Sequence, residues 1–585
     1  LAAIQLVRGD EFRRKAADRV LRTVGLETTR GSILDTNGVA LATSKGGKFS
    51  IAVRVDQLDA LDDPAHNALF RQVTLRYGMT QGEILDRIAA IRKDIRRSVQ
   101  RDVAARNPQS DRARRSMERW LTAWYERRPQ PLLSGVSFPD AMAVELDPDT
   151  FPSLVVLADD TRRHPLGLLA SHVLGDVSPI WKENWQDYQL RYPDDPRKQY
   201  RMDDLFGASG LELAREDQLR GSRGRRTDVV DSRGRVHLLL RETPPIPGKD
   251  LQTTIDCRLQ RAAETALKGQ KGAAVVLDPT TGDVLCLASS PLPDPQDPDA
   301  SRADQAFLRR ATSGLYPPGS TYKIFVAAAG LQSERITPDT FFTCDHRYRL
   351  GGQVFGCLGY HGALDLEYAL AKSCNIYFYQ AGERIGPAEI ERWTRAFGFG
   401  EKTGIEIGEE TGIAFGPSWK RDSGRGRWFP GDTANLAIGQ GPTLVTPLQM
   451  ARAVAAIANG GRLLRPHLAS ADGSTESFTT RTLPLSDDTI RFLRRAMASV
   501  VKFGTAHDAF EGFPVPVAGK TGTAETSRGS NHGWFAGFAP VDAPKVAFAV
   551  VIEDLESGEH ASTAACPVAR TILATLQELG YLPGG

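Results

Sequence analysis

Six cysteines in 585 residues are too few to staple a fold of this length, which excludes the disulfide framework of small secreted domains. Charge of one sign is equally scarce. Seventy-three Lys and Arg against 71 Asp and Glu leave a net charge of +2, so nucleic acid has no electrostatic claim as a partner. Spanning a bilayer takes ~20 consecutive apolar residues, and no stretch comes near that. The opening Leu1-Ala2-Ala3-Ile4-Gln5-Leu6-Val7 is apolar only until Arg8; with Leu rather than Met first, it suggests a chain trimmed after a membrane anchor. Internal repeats are absent. A Gly-rich passage, Gly207 to Gly210 and Gly221 to Gly224, lacks the Gly-Lys-Ser/Thr ending of a phosphate loop, which removes the nucleotide reading.

What is present is length enough for two or more domains, at ~100–200 residues each. Ser32 to Ala42 reads as strand, Asn37-Gly38 turn and strand, because Asn-Gly supplies the positive φ of a tight hairpin. From about 65 to 128 the pattern turns helical and arginine-rich, and the run Arg112 to Arg115 reads as a solvated helix face. Pro244 to Gly248 breaks the pattern, and Thr253 to Asp256 opens a new domain with a helix behind it. Ala273 to Asp278 and Val284 to Ala288 form an apolar hairpin; Gly533 to Ala539 and Val546 to Ile552 supply late strands. Helices lie between the two strand groups, as expected where helices pack on an antiparallel sheet.

Pro317-Pro318-Gly319-Ser320-Thr321-Tyr322-Lys323 followed by an apolar run places Ser320 at a helix start. Residues three apart share a helix face, so Lys323 is expected to present its amine to the Ser320 hydroxyl. A serine needs such a base, and a desolvated lysine can be one. Ser-x-x-Lys alone arises by chance roughly two or three times in a chain of this composition. Ser373-Cys374-Asn375 and Lys520-Thr521-Gly522-Thr523 follow in order, and that triple is the signature of penicillin-binding proteins and class A β-lactamases. In acyl transfer Ser320 attacks, Lys323 takes its proton and Ser373 relays a proton to the departing amine. Asn375 holds the substrate backbone, while Lys520, Thr521 and Thr523 present donors to a terminal carboxylate. Gly522 completes the substrate-binding strand.

The chain resembles the class B penicillin-binding proteins over most of its length. Arg30-Gly31-Ser32-Ile33-Leu34-Asp35-Thr36-Asn37-Gly38 resembles the amino-terminal pedestal motif, with Thr36 where arginine is commoner. Gly210-Leu211-Glu212 with Leu219-Arg220-Gly221 resembles its second segment, and Gly439-Gln440-Gly441 with Thr446-Pro447-Leu448-Gln449 a core-domain signature. Nothing upstream resembles a glycosyltransferase domain. Arg163 to Gly175 and His361 to Leu366 look more like the elongation-type subgroup than the division type. The resemblance implies an α+β multidomain architecture: an elongated pedestal at 1–250 with a helical head inserted at about 65–200, then a transpeptidase domain at 251–585. It implies cross-linking of peptidoglycan stem peptides during wall elongation, acylation by β-lactams, and no cofactor for acyl transfer. It further implies an inner-membrane, single-pass anchor preceding Leu1 and an extracytoplasmic, periplasmic catalytic domain. A SEDS-family glycosyltransferase and a rod-complex scaffold protein would be partners. The alternatives are a division-type transpeptidase, a β-lactam-hydrolysing or sensing protein, and a non-catalytic scaffold, against which the intact motifs argue.

Cys344, Cys357, His361 and Cys374 form C-x12-C-x3-H-x12-C, a ligand set of the kind structural zinc takes. A metal there would tie the Ser373 loop to the segment around Cys344. Some elongation-type relatives resemble this in having zinc nearby, usually with carboxylates among the ligands, so the extra cysteines are a departure. A Cys344–Cys357 disulfide and unpaired thiols are the competing readings. Cys257, Cys286 and Cys566 read as core, and His532 as structural or cleft-lining.

Overall fold

A computed structural model describes residues 21–26, 28–44, 49–106, 110–158, 162–180, 190–192, 195, 197–200, 204–230, 236–294, 298–350, 352–470, 478–525, 529–556 and 559–584. The apolar opening Leu1 to Val7, and the anchor expected before it, lie outside them. Among the described residues no helix is long and apolar enough to cross a membrane.

The chain divides into two compact units, Thr43–Arg163 and the remainder. The smaller is a three-stranded antiparallel sheet, Phe49–Val53 between Gln130–Val136 and Leu154–Ala158, with helices Asp63–Tyr77, Gln81–Arg106 and Asp111–Glu126. Ile84, Ile88, Ile91, Ile95, Val99 and Val103 recur every three or four residues along the longest helix and are all buried, the stripe that makes a helix pack. Arg112, Arg114 and Arg115 are exposed. The helical pattern at about 65–128 covers only the middle of this unit, because its sheet carries no helical signal, and the head that the resemblance implies at about 65–200 starts about 20 residues after the unit does and runs about 37 past its end.

In the larger unit the amino-terminal hairpin forms as read, Ile33–Leu34 against Ala40–Ala42, and Leu251–Gln252 adds in parallel. The two pedestal motifs meet through charge. Arg30 reaches Glu212 at 2.6 Å and Glu216 at 2.7 Å, with both carboxylates almost fully buried. Glu216 also accepts from the Tyr200 hydroxyl and the Gly207 amide, so the buried charges are paired and hydrogen-bonded, as burial requires.

The carboxy-terminal domain is an antiparallel sheet in the order Val284–Ser290, Gly272–Leu277, Val546–Leu555, Asn531–Ala539, Ala518–Glu525. Alternate residues such as Val276, Phe535 and Val550 face helices Cys257–Ala266 and Ala561–Glu578. Val275, Trp534 and Val551 face the opposite way, into a core with Lys323–Gln332 and Pro447–Ala458. Both faces are covered, which is why the strands read as unbroken apolar runs rather than alternating ones. Thr446 and Gln449 form a reciprocal capping box with Pro447 at the first helical position, the physical content of the Thr-Pro-Leu-Gln signature.

Candidate active site

Ser320 lies in a 3-10 turn, Gly319–Tyr322, that runs into the helix Lys323–Gln332. Every residue of that helix from Lys323 to Gly330 is buried; each large apolar side chain contributes roughly 1.5–3 kcal/mol by leaving water. The turn is held from several sides. The Trp534 indole donates to Pro317 O at 3.0 Å, Tyr316 and Val445 exchange backbone hydrogen bonds, and the Gly319 amide donates to Gly439 O at 2.9 Å.

Glycine is required where the walls touch. Gly439 has φ +69°, and a Cβ there would lie 2.3 Å from Gly319 O. A Cβ at Gly522 would lie 3.0 Å from Pro318 O and the Thr321 amide nitrogen. The Lys520 strand, outermost in its sheet, thus passes directly over the Ser320 turn, and Gly522, the last residue of Lys-Thr-Gly, leaves that close approach free of a Cβ.

Lys323 has no exposed surface. Its ammonium donates to Ser373 O at 2.7 Å, to Asn375 Oδ1 at 2.7 Å and more weakly to Ser373 Oγ at 3.4 Å. The expected hydrogen bond with Ser320 is not formed: the Ser320 hydroxyl has no hydrogen-bond partner among the described residues. A helical turn separates the two side chains, and the three oxygens opposite satisfy a buried cation better than one hydroxyl could. Burial lowers the Lys323 amine to about 8. Lys520, fully buried, is pushed well down by burial and then by the charge of Lys323; its amine donates to Thr521 O at 3.0 Å. The structure therefore gathers Ser320, Lys323, Ser373, Asn375, Lys520 and Thr521–Thr523 at one place.

Ser373 has φ +55°, a sparsely populated conformation that surrounding structure must enforce. Cys374 supplies part of that restraint. It caps the helix Asn375–Ile385, its sulfur accepting from the Tyr377 amide at 3.4 Å, and its own amide donates to Ala369 O. Around that sulfur Cys344, Cys357, His361 and Cys374 converge, their candidate ligand atoms all within 4.8 Å of one another. Cys357 Sγ lies 3.9 Å from Cys374 Sγ, and His361 Nδ1 lies 3.4 Å from Cys344 Sγ and 3.6 Å from Cys357 Sγ. A tetrahedral zinc with bonds of about 2.3 Å to sulfur and about 2.0–2.1 Å to nitrogen has edges of about 3.8 Å and about 3.6 Å, so these residues fit. All six cysteines are free thiols. The hydrogen bond shared with the Cys374 thiol, and then backbone amides including that of Asn375 at 3.3 Å, lower the Cys357 thiol toward the thiolate a metal needs.

Cys257, Cys286 and Cys566 are buried core residues. His532 is half-buried, accepts from the Asp554 amide at 3.2 Å and lies edge-on to Tyr316. Two contributors have roles that the motifs do not announce: Gly439, part of the Gly-Gln-Gly signature and packed behind the Ser320 turn, and Thr505, whose hydroxyl lies 2.5 Å from that of Thr521. Only the Gly-x-Gly pattern hints at the first; no sequence signal marks the second.

Residues 272–574 match the penicillin-binding protein transpeptidase domain, and residues 26–253 the penicillin-binding protein dimerisation domain. The chain is 33% identical over 461 residues to the peptidoglycan D,D-transpeptidase MrdA of Acinetobacter baumannii, covering 72% of this chain and 67% of that one. Among solved structures it resembles the penicillin-binding protein PBP2 of Helicobacter pylori, solved in complex with MreC, with a TM-score of 0.73, 25% identity and coverage of 96% and 99%. A chain of a peptidoglycan synthase complex that coordinates polymerization and crosslinking matches with a TM-score of 0.71 and 28% identity, covering 98% and 96%.

Proposed function

Because the chain belongs to the penicillin-binding protein transpeptidase family, we propose that it is the D,D-transpeptidase of wall elongation, cross-linking peptidoglycan through an acyl-enzyme on Ser320. The observation that carries the reading is the buried Lys323 amine, one turn after Ser320 and bonded to both polar residues of Ser373-Cys374-Asn375. A buried amine with a lowered pKa is a base near neutrality.

In the first half-reaction the Ser320 oxygen attacks the carbonyl carbon between two D-alanines, and its proton passes to neutral Lys323. The peptide C–N bond then breaks. Ser373, 3.4 Å from the Lys323 amine, passes that proton to the leaving D-alanine nitrogen. In the second, an acceptor amine attacks the ester carbon, the Ser320 oxygen departs and recovers a proton by the same relay. Lys520, Thr521 and Thr523 would hold the terminal carboxylate, and a helix-start amide at Ser320 with that of Thr523 would receive the oxyanion.

Cys344, Cys357, His361 through Nδ1, and Cys374 would hold a structural zinc. Bound there, the metal would supply a cross-link that fixes the Ser373 loop and take no part in acyl transfer. The partners consistent with this reading are a SEDS-family glycosyltransferase and a rod-complex scaffold, the latter like the MreC solved with the similar Helicobacter pylori protein, with the chain anchored in the inner membrane and facing the periplasm.

The test is incubation with a labelled penicillin, following the mass of the Ser320 peptide and its decay. A stable adduct, lost in Ser320→Ala with folding retained, is expected. Rapid release would make the protein a hydrolase, and no adduct would end the enzymatic reading.

A further inference from the structure

Thr505 stands outside the three motifs yet touches two walls of the cleft. Its hydroxyl lies 2.5 Å from the Thr521 hydroxyl, and its amide donates to Ala371 O at 3.1 Å, two residues before Ser373. The preceding glycine makes the approach: a Cβ on Gly504 would lie 2.4 Å from Ala371 O. Beside it the Lys372 amine donates to Phe503 O at 2.9 Å. The segment after the helix Asp487–Lys502 is thus fastened to the Ser373 loop on one side and to the Lys-Thr-Gly strand on the other.

Either threonine oxygen could donate in the pair, but substrate chemistry breaks the symmetry. An ionised carboxylate only accepts hydrogen bonds, and a threonine hydroxyl has a single hydrogen to give. If Thr521 spends its hydrogen on the substrate carboxylate, it can only accept from Thr505.

We propose that Thr505 is a positioning residue for carboxylate recognition, donating to the Thr521 oxygen so that the Thr521 hydrogen points at the terminal carboxylate of the donor peptide. The inference rests on the acyl-transfer reading above and adds the chain Thr505 O–H to Thr521 O–H to carboxylate. Such chains polarise cooperatively, so losing the outer donor weakens the inner one. The backbone bond to Ala371 ties this relay to the loop that carries Ser373.

The experiment compares acylation rates of Ser320 by a penicillin and by its methyl ester, which lacks the ionised carboxylate. In the wild type the acid should react faster than the ester. Thr505→Val keeps the shape but removes the donor, and is expected to cut the acid-to-ester ratio about tenfold; Thr505→Ser should stay within about twofold of wild type. In a Thr521→Val background, Thr505→Val should have no further effect on the ratio. A merely structural threonine would slow acid and ester alike and leave the ratio unchanged, and that result overturns the inference while leaving the acyl-enzyme intact. Equal loss of the ratio in Thr505→Ser and Thr505→Val overturns it as well. A wild type that forms no adduct overturns the acyl-transfer reading and the inference with it. Should Thr505→Val not fold, Thr505→Ala is read in the same way, with thermal melting to establish its folded state.

Discussion

On the acyl-transfer reading, Lys323 couples protonation to both catalysis and stability. With its amine lowered to about 8 from an ordinary 10.5, a tenth or so of the molecules hold it neutral at pH 7. Acylation of Ser320 should therefore rise with pH and level off above about 8, measured as the rate of labelled-penicillin incorporation between pH 6 and 9.5. Lys323→Arg, which cannot deprotonate in that range, should lose at least ~100-fold and show no such rise; a flat wild-type profile would remove Lys323 as the base. The stability sign follows from the same shift. Between about 8 and 10.5 the unfolded chain holds a proton that the native chain lacks, so this residue's contribution to stability improves with pH through that window, and its burial cost is fully present below it. Motif reading singles out Ser320, Lys323 and Asn375, which the structure brings together, because acyl transfer restricts which residue types can serve. It misassigns the partner of the Lys323 amine, because helical spacing says nothing of a loop fifty residues away that offers three better-placed oxygens.

At the scale of elements, the site depends on backbone surfaces meeting more closely than side chains allow. Gly439 is the sharpest case, since a Cβ there collides with Gly319 O and its φ of +69° strains any other residue. Gly439→Ala should cost about 1–3 kcal/mol from the backbone conformation alone and slow acylation at least about tenfold by displacing the turn that carries Ser320; melting temperature and acylation rate together check it. The cysteine cluster belongs to the same scale, with Cys344 on the strand Phe342–Cys344 and Cys374 at the cap of the helix Asn375–Ile385. Purified protein should carry about one equivalent of zinc, and stripping it with a chelator should lower the melting temperature; less than a tenth of an equivalent would remove the metal reading. The ligands are legible because C-x12-C-x3-H-x12-C is unusual in a chain so poor in cysteine. The positive φ of the neighbouring Ser373 is not, because positive φ at a serine leaves no trace in composition.

Across the whole molecule, strands and helices of the carboxy-terminal domain follow their sequence patterns closely, since a sheet buried on both faces leaves long apolar runs. The inserted unit does not. Its helices announce themselves, but its limits are set by a small sheet whose strands are separated by almost eighty residues, a pairing no local pattern records. Thr43 and Arg163 make reciprocal backbone hydrogen bonds at 2.9 Å, so the chain enters and leaves this unit at one point, and its core of Ile84, Ile88 and neighbouring residues is its own. Insertions entered and left at adjacent residues are removable in principle, because the host chain need close only a short gap. Replacing residues 44–162 by a short Gly-Ser turn should leave a folded protein whose Ser320 is acylated within about threefold of the wild-type rate. Loss of cooperative melting in that variant would show that the catalytic unit draws its stability from the insert, against the separation of cores seen here.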